Sequence, residues 1–174
     1  AVQDSVGTED FLKSLDAILT FNFRVDPSDI RPLDLVNKTN QFNLNGRRLD
    51  PADWKRNLRD PEKFALTVDY SDKFGPLGTI GVVIGYISEG NIVLTTWVLS
   101  CRAFARRIEH AVLDFLTSYF DIESIFFEYQ STDKNRLVHA FLSSLGTIFG
   151  SLPAEPIIST LSLPPLYHKR QVHD

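Results

Sequence analysis

The chain has one cysteine, Cys101, in the run Ser100-Cys101-Arg102-Ala103, with Arg106 and Arg107 close behind it. A thiol among guanidinium groups has its thiolate favoured, and a thiolate is a nucleophile that can serve as a covalent relay. Against this stands the ordinary use of a lone cysteine as a small buried hydrophobe. His110 and His139 are the candidate general bases, because imidazole titrates near neutrality. His110 would sit about 13 Å along a continuous helix from the cysteine, too far for contact, whereas the facing of His139 is open. Two amide-rich blocks accompany them. Lys38, Asn40, Gln41 and Asn43 could line a pocket for a small polar acid, or could satisfy loop backbone and cap a helix. Thr132, Lys134 and Asn135 divide the same way between a helix cap and a substrate site. Trp97 reads as core or as a ligand platform. Arg102, Arg106 and Arg107 read as a solvated face or as a patch that steers an acidic, phosphate-bearing partner. No grouping of His, Cys and carboxylates has metal-ligand spacing, so no metal is expected.

These residues need a scaffold. Residues 92–99 are β-branched and aromatic without a breaker, a buried strand. Phe104, Ile108, Val112 and Phe115 then form one apolar stripe, so the central helix is expected to start just past the cysteine and to present free amide N–H groups there. Upstream, a frayed terminus over 1–7 precedes a helix from Thr8 to about Thr20, with Phe11, Leu12, Leu15, Ile18 and Leu19 on one face. A strand over 21–25 follows. Pro27-Ser28-Asp29 opens a second helix, and Asp50-Pro51 starts a short third one. Strands over 64–70, 79–88 and 91–99 make an antiparallel meander joined at Glu89-Gly90. Downstream come a short strand at 125–129, a helix ending before Gly146, and an edge strand within 153–163. One domain over 8–163 is expected, with an exposed tail over 164–174. This order is that of an α+β fold, a mixed and mostly antiparallel sheet flanked by helices, as in the GNAT (acyl-CoA N-acyltransferase) fold.

At 174 residues, with 43% hydrophobic and 23% charged side chains, the composition is that of an ordinary globular domain. A net charge of -4 disfavours nonspecific nucleic-acid binding. No apolar run reaches the roughly 18 residues of a membrane span and no signal peptide opens the chain, so a cytoplasmic setting is expected. A single cysteine precludes an internal disulfide framework. The Ala-Val-Gln start and the lack of any Met suit a piece of a longer polypeptide, or a processed tag.

Four blocks in order carry a resemblance: Lys38-Thr39-Asn40-Gln41-Phe42-Asn43-Leu44, then Ser71-Asp72-Lys73-Phe74-Gly75 through Gly78 and Gly81, then Trp97 to Arg102, then Thr132-Asp133-Lys134-Asn135. Together they resemble the C-terminal, GNAT-like half of the FkbH-like family from about Phe11 to about Phe149. The resemblance implies an acyltransferase that loads a glyceryl or similar short acyl group onto the phosphopantetheine thiol of an acyl-carrier protein in polyketide biosynthesis. It also implies a HAD-type phosphatase half in the same polypeptide, signed by a DxDxT motif that this chain lacks. Cys101 and His139 would be catalytic. Lys38, Asn40, Gln41, Asn43, Trp97, Ser100, Arg102, Arg106, Thr132, Lys134 and Asn135 would hold substrate or the pantetheine arm. No glycine stands between Arg102 and Glu109, where a pyrophosphate would need close backbone approach. The expected ligand is therefore the carrier's arm with its single phosphate; coenzyme A fits less well, and no tightly bound cofactor is expected. The rival readings are a non-catalytic carrier-docking module and an acetyl-CoA-dependent N-acetyltransferase.

Overall fold

A computed structural model describes residues 2–145, 157–158 and 162–174. Helix α1 (Val2–Ser14) covers residues expected to be frayed, and it stops well short of Thr20. Asp16 turns the chain in the left-handed region, φ 50°, and Ile18 and Leu19 enter strand β1 (Ile18–Asn22) instead of extending the helix stripe. Leu19 and Phe21 are fully buried there, opposite Tyr70 and Val68 of the neighbouring strand. Helices α2 (Ile30–Lys38) and α3 (Pro51–Arg59) form as their caps predict. The carboxylates of Asp29 and Asp50 accept from the N–H groups of Arg31 and Asp53, and Pro51 opens α3.

Strands β2 (Lys63–Asp72), β3 (Gly75–Ser88) and β4 (Asn91–Leu99) make the expected meander. After β4 come a short 3₁₀ turn (Cys101–Ala103), α4 (Ile108–Phe120), β5 (Ile125–Phe127) and α5 (Arg136–Ser144). Strand β6 (Ile157–Ile158) supplies the edge expected within 153–163; the rest of that stretch up to residue 161, and Gly146, lie outside the described residues. The sheet order is β6-β5-β4-β3-β2-β1-β7, with β4–β5 and β1–β7 parallel and the other pairs antiparallel. Strand β7 is Lys169–His173, so the expected tail is instead part of the sheet, and the folded unit is not bounded by residues 8 and 163. All five β7 side chains are exposed, which leaves no hydrophobic period by which to read a strand.

Helices cover both faces. Leu12, Leu15, Phe21, Val68, Ile108, Val112 and Phe115 form the larger core, where Phe21 stacks on Phe115 at 3.9 Å. Leu35, Val36, Trp54, Val82, Ile84 and Val98 form the smaller one beneath α2 and α3. Neighbouring Val82 and Val83 go to opposite cores, as the pleat requires.

One irregularity shapes the site. Ile84 pairs with Thr96 but Gly85 pairs with Leu94, so Thr95 bulges out of β4. A side chain at Gly85 would put Cβ 2.3 Å from the Val93 carbonyl oxygen, so only glycine fits the close approach. Beyond the bulge β4 leaves β5, which pairs only with Ile92, Val93 and Leu94.

Candidate active site

The gap where β4 and β5 part is filled by the chain itself. Asn43 bridges Val98 in antiparallel sense, the Leu44 N–H donates to the Trp97 carbonyl at 2.9 Å, and the Leu99 N–H donates to the Phe42 carbonyl at 3.0 Å. On the far side the Gln130 N–H donates to the Leu44 carbonyl at 3.2 Å. Three asparagines pin this insert. The Asn45 amide donates to the Thr95 and Glu128 carbonyls, both at 2.9 Å. The Asn43 oxygen accepts from the N–H groups of Asn45 and Gly46. The Asn135 amide donates to the Asn43 and Gln130 carbonyls, both at 2.9 Å. Asn43 and Asn135, expected to contact ligand, are 2% and 1% exposed with their polar atoms spent on backbone, so they build the site without facing it. The Thr132 oxygen accepts from the N–H groups of Lys134 and Asn135, closing the turn ahead of α5, whose N-cap is Asn135. Neither Thr132 nor exposed Lys134 lines a recess described below. Trp97 is core, edge-on to Phe42 at 5.0 Å and to Phe141 at 5.8 Å.

The insert delivers Lys38, Thr39, Asn40 and Gln41 to one side of a groove of about 320 Å³, whose other side is Leu99, Ser100, Cys101 and Phe104. Five expected site residues, Lys38, Asn40, Gln41, Ser100 and Cys101, are thereby brought together. Cys101 is exposed, which rules out its reading as a buried hydrophobe. It opens only the single 3₁₀ turn capped by Ser100, however, and not the central helix, because α4 starts at Ile108. The interruption comes from Ala105 and Arg107, at φ 63° and 56°, each costing roughly 1 kcal/mol for a residue with a Cβ.

The turn is held from behind. The Arg106 guanidinium donates to the Arg102 and Phe104 carbonyls, lies 5.6 Å over the Tyr70 ring, and has its Nε 3.9 Å from Asp72. That last contact is a charge neighbour and not a hydrogen bond, since the Nε finds no acceptor among the described residues. Burial, then the bond to Asp72, push the Tyr70 phenol up, so it remains a donor. Arg107 pairs with Glu9 at 2.8 Å and donates to the Pro165 carbonyl. The expected basic patch at the thiol is thus reduced to exposed Arg102, with Lys38 across the groove paired to Asp34 at 3.1 Å. His139 is also elsewhere: Leu137 and Phe141 face the site from α5, and the intervening His139 turns toward Tyr129, ring centroids 6.0 Å apart.

A second recess of about 210 Å³ adjoins the groove through Phe104, which lines both. Its walls are Phe42, Ala105, Leu137 and Phe141, with one ionisable group, Glu109. Burial holds the Glu109 carboxyl above the usual carboxylate range. The adjacent His110 is pushed the other way, by burial and then by Arg107, so the pair at 3.5 Å is not an ion pair near neutrality. Glu109 is the site residue that the sequence reading passed over; the available signal was a lone acid beside the apolar stripe Ile108, Ala111, Val112.

His168 gives the structure a pH dependence. Its Nε2 donates to the Arg106 carbonyl at 2.8 Å, so the buried Nδ1 is the unprotonated nitrogen, with no partner among the described residues. Burial, together with Arg107, lowers its pKa below 6.5. The unfolded chain then binds the proton more readily, so this contribution is complete above about pH 6.5 and is lost as pH falls below it. The midpoint of thermal unfolding should drop between pH 7.5 and 5.5, and His168→Gln should flatten that slope, as differential scanning fluorimetry across the range would register.

Among the described residues no helix is long and apolar enough to cross a membrane. No protein-family model matches the chain, and no curated protein matches it. Solved structures do match its fold. An acetyltransferase from Thermus thermophilus aligns with TM-score 0.58 and 15% identity over 82% of this chain and 96% of that one. A domain from Methanocaldococcus jannaschii aligns with TM-score 0.58 and 10% identity over 82% and 97%. A mutant of the spermidine N-acetyltransferase SpeG from Vibrio cholerae aligns with TM-score 0.52 and 12% identity over 82% and 93%. At such identities what is shared is the architecture: the chain has the GNAT fold.

Proposed function

We propose that the chain is an acyltransferase domain that carries a short acyl group on Cys101 and passes it to the pantetheine thiol of an acyl-carrier protein. The observation that carries this reading is the groove in which the exposed thiol faces Lys38, Asn40 and Gln41. The Cys101 sulfur attacks the carbonyl carbon of an activated donor, an acyl phosphate or thioester. The leaving group departs with its electron pair, and the thiol proton passes to solvent. The carrier thiol then attacks the new thioester, the bond to the Cys101 sulfur breaks, and the cysteine is restored. Lys38 and Arg102 suit the single phosphate of the arm. A phosphatase half in the same polypeptide, as the resemblance implies, would act on the acyl donor.

Acetyl-CoA-dependent N-acetyl transfer fits less well. Coenzyme A differs from the carrier's arm in its pyrophosphate, which would need close backbone approach, and no glycine stands between Arg102 and Glu109 to allow it. Intact-protein mass spectrometry after incubation with acyl thioesters and acyl phosphates tests the proposal. One acyl increment is expected on the wild-type chain and none on Cys101→Ser. Carrier binding with no increment on the wild type would overturn the relay and leave a docking module.

A further inference from the structure

Accepting the relay on Cys101, we infer that the recess beside the thiol groove receives the hydrocarbon tail of the acyl group, so the cargo is an unsubstituted aliphatic acyl chain and not a hydroxylated one such as glyceryl. Phe104 is a wall of both spaces, so a chain esterified to the thiol has the recess as its neighbour. Phe42 and Phe141 form its floor and Leu137, 46% exposed, its open rim. An uncovered leucine over two buried aromatic rings leaves apolar surface for a ligand to bury, and each methylene removed from water multiplies affinity about fourfold.

A hydroxylated acyl group would lose water in this recess and regain little. Its one polar side chain is Glu109, which burial holds above the carboxylate range. None of the amides of the 38–43 block lines this recess: Asn43 is committed to the Thr39 carbonyl and two backbone N–H groups, the Asn40 oxygen accepts from Arg48, and Gln41 lines the thiol groove instead.

The test compares hexanoyl-, acetyl- and glyceryl-N-acetylcysteamine thioesters, with the rate of mass increment on Cys101 as readout. Hexanoyl should transfer at least tenfold faster than either of the others, and Leu137→Glu, a change at an exposed position, should bring the hexanoyl-to-acetyl ratio down to about one. Equal rates, a preference for glyceryl, or an unchanged ratio in Leu137→Glu would overturn the inference while the relay stood. Labelling by none of the three would instead remove the relay. The recess would then be judged by S-hexyl-N-acetylcysteamine, a thioether that cannot transfer. NMR shift changes centred on Leu137, Phe141 and Phe104 would sustain an aliphatic site, and their absence would dismiss it.

Discussion

Asn45→Ala is expected to lower the free energy of unfolding by about 3 kcal/mol and the thermal midpoint by about 6–12 °C. The Asn45 amide satisfies the Thr95 and Glu128 carbonyls at once, and its oxygen accepts from the Arg47 N–H at 3.2 Å. It therefore joins the two strands at the point where they stop joining each other. Alanine would leave carbonyls that are largely shielded from water without donors, and an unmade buried hydrogen bond costs more than a made one contributes. Glutamine would not restore the links, because its extra methylene displaces the amide from two fixed acceptors. Urea denaturation of the wild type and both variants checks this; a loss under 1 kcal/mol would show that water replaces the amide. Loosening should also reach the groove, since residues 38–41 are anchored only a few positions upstream. Alkylation of Cys101 would then lose any discrimination between bulky and small reagents.

Much of the scaffold was legible because local signals agreed with one another. Caps at Asp29 and Asp50, alternation through β2 and β3, and the Glu89-Gly90 turn each specify geometry within a few residues. The misreadings share a different cause. Ile18 and Leu19 suit a helix stripe and a buried strand equally, and only pairing with Tyr70 and Ser71 decides between them. Strand β7 depends wholly on a partner about 150 positions upstream, and its exposed side chains carry no period. Phe104 falls in register with Ile108 and Val112 of α4 although it lies outside that helix, because two left-handed residues without glycine are invisible to propensity.

The site was legible in its blocks and not in its roles. The two blocks carrying Asn40-Gln41 and Ser100-Cys101 do meet across one groove. Within those blocks, facing could not be read: Gln41 is exposed while Asn43, two positions on, is buried and structural. Asn135 belongs to the same hub, which explains a polar residue among apolar ones without any ligand.

Arg106→Leu should separate the thiol's chemistry from its mere presence. The guanidinium lies over Tyr70, neighbours the nearly buried Asp72, and ties two carbonyls of the turn. Removing it leaves Asp72, at 4% side-chain exposure, with the Tyr70 hydroxyl but no cation. The expected loss is about 2 kcal/mol, below the range for a fully buried pair because the arginine is itself 27% exposed and its contact with Asp72 is long. The larger effect falls on reaction. The Arg107 contacts with Glu9 and Pro165 and the His168 bond to the Arg106 carbonyl would remain. The two bonds that tie the Arg102 and Phe104 carbonyls would be lost, so the turn should relax at Phe104, the wall shared by both recesses. A displacement near 1 Å at a reacting centre costs up to about a hundredfold in rate, and acylation of Cys101 should fall at least tenfold. Arg106→Lys should rescue little, since one ammonium cannot lie over the ring and reach both carbonyls. Titration with a small thiol reagent, which needs no groove, should proceed at the wild-type rate in both variants. If acylation by the thioester also kept its wild-type rate, the turn's conformation would have no part in the chemistry.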